Sequence, residues 1–119
     1  MVTQEIKILS KGSVVYLDFN PQVGHEQAGR RPALVVSPAS YNDKVGLALV
    51  CPITSRVKAY PFEVPIPEGS RVAGVVLADQ LKSVDWHHRR AEVVGSLPPE
   101  TVAQVLGLLA ALLEIGVAA

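Results

Sequence analysis

Cysteine is nearly absent from this chain of 119 residues: Cys51 is the only one, so no disulfide can form within it. It lies in the apolar run LALVCPI, where a thiol acts as a small buried hydrophobe rather than a nucleophile. Histidine is equally scarce, with only His25, His87 and His88. His87 and His88 are adjacent, so on a strand they would face opposite sides and could not share one metal. They read as partly exposed loop histidines, and no metal site is expected. An excess of either charge is also lacking: 11 Lys and Arg balance 11 Asp and Glu. Bulk charge therefore points to no nucleic-acid partner. No apolar run approaches the about 20 residues of a membrane span; VLGLLAALL stops at Glu114. The opening MVTQEIK has no signal-peptide core. A cytoplasmic protein with no membrane partner is expected. A Walker loop and a GxGxxG fingerprint are both missing. Ser13, Ser37 and Ser55 lack the setting of a nucleophile elbow.

What is present is a core. Apolar residues make up 49% of the chain, enough for one domain spanning residues 1–119. SVVYLDF (13–19) is rich in strand formers. ALVVSP (33–38) and GLALVCPI (46–53) are apolar strands, and ASYNDKVG between them carries the turn residues of a hairpin. PFEVPI (61–66) contains Pro65 and reads as an edge strand. AGVVLA (73–78) and RAEVVGSL (90–97) complete five or six short strands. After Pro98 and Pro99 the pattern becomes helical: Val102, Val105, Leu106, Leu109, Leu112 and Leu113 fall on one face. Gly116 is the expected stop. Leu108, Ala110 and Ala111 widen that face and hint at a subunit contact. The fold class is mainly β, a small bent antiparallel barrel or sandwich closed by one C-terminal helix.

The polar residues gather beside turns. Glu26 and Arg31 share the loop GHEQAGRRP (24–32), which Gly24 and Gly29 make bendable. Pro32 restricts Arg31 to extended backbone. Thr54 and Ser55 follow one strand, and Asp79, Gln80 and Lys82 follow another. Polar groups at strand ends on a rigid scaffold commonly form sites. The plainer reading is turn residues plus a Glu–Arg surface pair contributing under about 1 kcal/mol.

One resemblance covers nearly the whole chain. KGSVVYLDFNPQVGHEQAGRRPALVVSPASYNDKVGLALVCPITS, KAYPFEV and VVLADQLKSVDW resemble, in order and spacing, the MazF/PemK/Kid family of bacterial toxin endoribonucleases. The joint pattern G-x-E-Q-x-G-x-R-P, P-x-T-[ST] and [DE]-Q-[LVI]-[KR] is highly specific. His25 and His88 stand where other residues are more usual. The resemblance implies an SH3-like (CcdB/PemK-like) barrel, a homodimer, and metal-independent cleavage of single-stranded RNA at short sequences, with no cofactor. It also implies a cognate MazE-like antitoxin, whose tail is expected to be acidic and disordered. It assigns catalysis to Arg31 and Thr54 and matches the loop carboxylate to Glu26. Asn20, Gln27, Arg30, Ser55, Lys58, Asp79, Gln80 and Lys82 are the expected RNA contacts. Two rival readings are a CcdB-type gyrase poison without a catalytic site and an SH3-like binding module. The Glu26, Arg31 and Thr54 set argues against the first. The second normally needs an aromatic-lined groove, and this chain has six aromatic rings, most in expected strands: Tyr16, Phe19, Tyr41, Tyr60, Phe62 and Trp86.

The chemistry suits these residue types. RNA carries its own nucleophile, so the protein must take one proton, neutralise the phosphoryl oxygens and protonate the leaving oxygen. Arg31 fits the second task and not that of a plain base, because guanidinium stays protonated. Glu26 is the expected base or the group that orients Arg31. Thr54 is an expected hydroxyl donor. The leaving-group acid is unassigned, with Arg31 or a water as candidates.

Overall fold

A computed structural model of the chain describes residues 8–19 and 29–116. The elements run β1 (Ser13–Asp18), β2 (Arg30–Val35), α1 (Ala39–Val45), β3 (Leu47–Thr54), β4 (Glu63–Pro65), β5 (Val75–Leu77), β6 (Lys82–Asp85), β7 (Glu92–Ser96) and α2 (Pro99–Leu112). Asn20, His25, Glu26 and Gln27 lie outside the described residues.

All seven strands join one antiparallel sheet, ordered β4-β5-β3-β2-β1-β7, with β6 also on β3. β3 organises it. One edge holds β2 through Val50–Pro52, while the other pairs Leu47–Val50 with β6 and Ile53–Thr54 with β5. Changing partners along one strand is how a short sheet curls. β6 was not expected from the sequence. Its apolar content is one buried Val84, too little for a periodic signal over four residues. β4 is an edge, as Pro65 implies, and among the described residues no ladder joins it to β7. The sheet is therefore bent but not closed by strand pairing. α2 packs against β4 and the 3-10 turn Ala78–Gln80 instead.

Strand alternation divides the core in two. One cluster lies under α2 and includes Val14, Leu34, Cys51, Ile53, Val76, Ala78, Val102, Val105 and Leu109. The other face carries Val15, Leu17, Phe19, Ala33, Val35, Val50, Val84 and Trp86. Burying each such side chain contributes about 1.5–3 kcal/mol.

The expected hairpin turn at residues 39–46 is the helix α1, capped by Gly46 at φ 80°. β2 and β3 are still antiparallel neighbours across it. Asn42 is the reason that turn chemistry misled: its side chain is buried and tied to two other segments, and its backbone to a third. Its Nδ2 donates to Leu9 O at 2.6 Å and Ser37 O at 3.1 Å, and Trp86 Nε1 donates to its backbone carbonyl at 3.1 Å. Ser37 Oγ lies 2.5 Å from Asn42 Oδ1 and accepts from Leu49 N–H at 2.9 Å. α2 ends at Leu112, before Gly116. Of its expected stripe, Val102, Val105 and Leu109 are buried, whereas Leu112 and Leu113 are 43% and 59% exposed. Leu108 and Ala110 are half-buried and Ala111 is exposed.

Candidate active site

β2 carries two consecutive arginines with opposite headings. Arg30 pairs with Asp18 and Arg31 with Leu17 in the β1–β2 ladder. Leu17 faces the cluster away from α2, so Arg31 shares that face and Arg30 takes the other. On β3, Ile53 belongs to the cluster under α2, which turns Thr54 to the face of Arg31. The β2–β3 ladder pairs Ala33 with Pro52. The ladder ends there, and Ile53 and Thr54 pair with β5 instead. The cation and the hydroxyl expected from the sequence thus lie on the same face of neighbouring strands.

Thr54 is nearly buried, at 6% exposure, and its Oγ1 accepts the N–H of Arg56 at 3.1 Å. That leaves its own proton to donate. Gly74 fixes the backbone beneath it. At φ +115°, a Cβ there would lie 2.0 Å from Thr54 O and 2.9 Å from Ser55 Cα. Only glycine permits so close an approach. On the same face Lys82, opposite Val50, holds its ammonium 6.0 Å from the Phe19 ring centroid. Ser55 and Lys58 are exposed, and Gln80 is half-buried.

Arg30, expected to touch RNA, is engaged in the scaffold. Its Nη1 lies 3.2 Å from Asp18 Oδ1 and its Nη2 donates to Arg90 O at 2.8 Å. Arg90 Nε meets Asp18 Oδ2 at 3.2 Å, and Arg89 Nη1 donates to Asp18 O at 2.9 Å. Desolvation pushes the Asp18 carboxyl up, but Arg30 and Arg90 outweigh it and hold it below the usual Asp value. This cluster staples the end of β1 and the start of β2 to the 86–90 turn, while Phe19 N–H bonds Gly29 O at 2.9 Å. Gly29 is left-handed, at φ 80°, a conformation that favours glycine. In the same turn His87 stacks on Trp86 at 3.9 Å, and both His87 and His88 are exposed.

Asp79, another expected RNA contact, accepts the Tyr60 hydroxyl at 2.8 Å. Burial pushes the Cys51 thiol up to about 12, with Asp79 adding to the effect. Among the described residues no three His, Cys, Asp or Glu side chains are placed to hold a metal ion. No helix among them is long and apolar enough to cross a membrane.

Residues 10–113 match the family described as PemK-like, MazF-like toxin of type II toxin-antitoxin system. The chain belongs to this family. It is 48% identical over 89 residues to the endoribonuclease toxin MazF of Escherichia coli K12, covering 75% of this chain and 79% of that protein. It is 39% identical over 109 residues to the endoribonuclease toxin ChpB of the same strain, covering 87% and 93%. The crystal structure of MazF from Deinococcus radiodurans superposes with a TM-score of 0.87 at 53% identity, over 91% of this chain and 98% of that one. A MazE-MazF crystal structure from the same organism gives 0.84 at 52% identity, over 92% and 99%.

Within this PemK-like, MazF-like scaffold, three contributors escaped sequence reading. Gly74 carried a signal, since glycine inside a strand pattern marks close backbone approach. The Asp18–Arg30–Arg90 staple carried none, because it joins residues far apart in the chain. Tyr60 was read only as one of six aromatic rings.

Proposed function

We propose that the chain is a metal-independent, sequence-specific endoribonuclease of single-stranded RNA, acting in the cytoplasm as a homodimeric toxin. What supports this reading is that Arg31 on β2 and Thr54 on β3 share one face of the sheet. A phosphate in front of that pair meets a permanent bidentate cation and a hydroxyl donor. The RNA 2′-oxygen attacks the adjacent phosphorus, and the bond from phosphorus to the 5′-oxygen breaks. A 2′,3′-cyclic phosphate and a 5′-hydroxyl result. Glu26 takes the 2′-hydroxyl proton or orients Arg31. Arg31 neutralises the phosphoryl oxygens, Thr54 donates to one of them, and Arg31 or a water protonates the leaving oxygen. Asn20, Gln27, Ser55, Lys58, Gln80 and Lys82 hold the strand, while Arg30 and Asp79 act through the scaffold.

The cognate antitoxin silences the site by laying an acidic tail over Arg31 and Lys58. RNA and antitoxin then compete, and salt weakens both. The test is cleavage of mixed-sequence RNA in excess EDTA. Fragments with 5′-hydroxyl ends are expected. Activity that chelator abolishes and magnesium restores would refute the mechanism, as would cleavage of a substrate with 2′-deoxy at the cut nucleotide.

A further inference from the structure

The segment Arg56–Phe62 interleaves cations with aromatic rings: Arg56, Lys58, Tyr60 and Phe62. It leaves β3 directly after Thr54 and must reach β4, which lies beyond β5. Its shape is fixed from within. Glu63 receives the Lys58 N–H at 3.0 and 3.2 Å and the Tyr60 N–H at 3.3 Å, and returns its own N–H to Tyr60 O at 3.0 Å. Ala59, between the cation and the ring, is held left-handed at φ 56°. Such a conformation persists only where its surroundings enforce it. Tyr60 is anchored at its far end as well, by the hydroxyl bond to Asp79 at 2.8 Å. The Phe62 ring braces it at 5.7 Å and 56°. Yet the Tyr60 side chain is not part of either core cluster, and the residue is 44% exposed. An aromatic ring held at both ends and left open to solvent, with Arg56 and Lys58 on the chain leading to it, is the device by which proteins stack single-stranded bases.

We propose that Tyr60 is a stacking platform for one nucleobase of the RNA strand, on a nucleotide flanking the scissile phosphate. This rests on the endoribonuclease reading. Tyr60 lies six positions after Thr54, a span of at most about 20 Å, which is within reach of a neighbouring nucleotide. Lys58 meets the phosphate backbone beside it. Asp79 is a positioning residue: its carboxylate fixes the ring's tilt and touches no RNA. The site takes a base by its face, so it tolerates several bases and adds affinity more than sequence choice.

The test uses the full chain and a 2′-O-methyl RNA oligonucleotide spanning the sequence cut in mixed RNA. This probe lacks the nucleophile and cannot be cleaved. Tyr60→Ala should weaken binding about 5- to 150-fold, the effect of one stacked base. Tyr60→Phe and Asp79→Asn should weaken it less, because the ring stays while its clamp is lost. Lys58→Ala should flatten the dependence of affinity on salt, and Tyr60→Ala should leave that slope unchanged. One abasic position in the probe should erase the difference between the native chain and Tyr60→Ala. The proposal fails if Tyr60→Ala, with an unchanged melting temperature, binds the probe as the native chain does. It fails equally if no abasic position is special, or if the variant loses only antitoxin affinity. A native chain that neither cuts nor binds RNA would instead overturn the endoribonuclease reading itself.

Discussion

Gly74→Ala adds a single methyl group, and the structure says where it must go. The new Cβ would stand 2.0 Å from Thr54 O and 2.8 Å from Thr54 C. A comfortable carbon–oxygen contact is about 3.3 Å, so backbone has to yield by more than about 1 Å. The obstacle is not a side-chain tip that can swing away. Gly74 is also at φ +115°, where a residue with Cβ costs about 1–3 kcal/mol. Overpacking adds about 1–3 kcal/mol. The sum, about 2–6 kcal/mol, divides between two escapes. Either β5 peels from Ile53 and Thr54, which lowers the melting temperature by roughly 4 °C per kcal/mol, or Thr54 shifts relative to Arg31. A displacement of about 1 Å at a reacting centre can cost about a hundredfold in rate. Thermal melts and single-turnover cleavage on one preparation separate the escapes. At a temperature where the variant is folded, turnover should fall about 10- to 100-fold. Native turnover together with a native melting temperature would refute the account of Gly74 and, with it, the placement of Thr54 in the chemistry.

Three further outcomes are expected. Arg31→Ala should lose about a hundred- to a thousandfold in turnover, and Arg31→Lys should recover only part of it; Arg30→Ala should lose less, through the loop base, and the reverse ranking in single-turnover assays would reverse the assignment. Cys51, with its thiol pushed up to about 12, should resist thiol reagents in the folded chain and react on denaturation, read by absorbance of the released chromophore. Asp18 has a folded pKa below its ordinary 3.8, so its ion pairs stabilise the fold above that value and stop doing so as pH falls through the lowered one. The melting-temperature gap between the native chain and Asp18→Asn should accordingly hold steady above about pH 5 and close in stronger acid; a gap that widens on acidification would contradict the staple.

The legible parts of the sequence were those governed by period and punctuation. Alternating or apolar runs located six strands, Pro65 marked an edge, and Pro98 with Pro99 opened α2. Where side chains act over distance the sequence was mute. YND looks like a turn because Asn and Asp favour turns, yet Asn42 is drawn into the core by Leu9, Ser37 and Trp86. β6 is too short for periodicity to register. For the site, loop and strand-end residues were identifiable as types, and strand alternation sets Arg31 and Thr54 on one face of the sheet. That Arg30 turns to the opposite face and joins Asp18 and Arg90 was not readable, because it depends on which face of the sheet α2 covers.

A strand has two faces, and the Arg30–Arg31 dipeptide uses both. On the proposed assignment, the chemistry can therefore be removed while the ion pairs on the opposite face remain. Replacing Arg31 leaves Asp18, Arg30 and Arg90 joined on the opposite side. Such a copy would be harmless enough to produce in a growing cell, yet would keep the shape that receives RNA. It would then serve as a bait: the strands recovered with it, still whole, would report the preferred sequence directly.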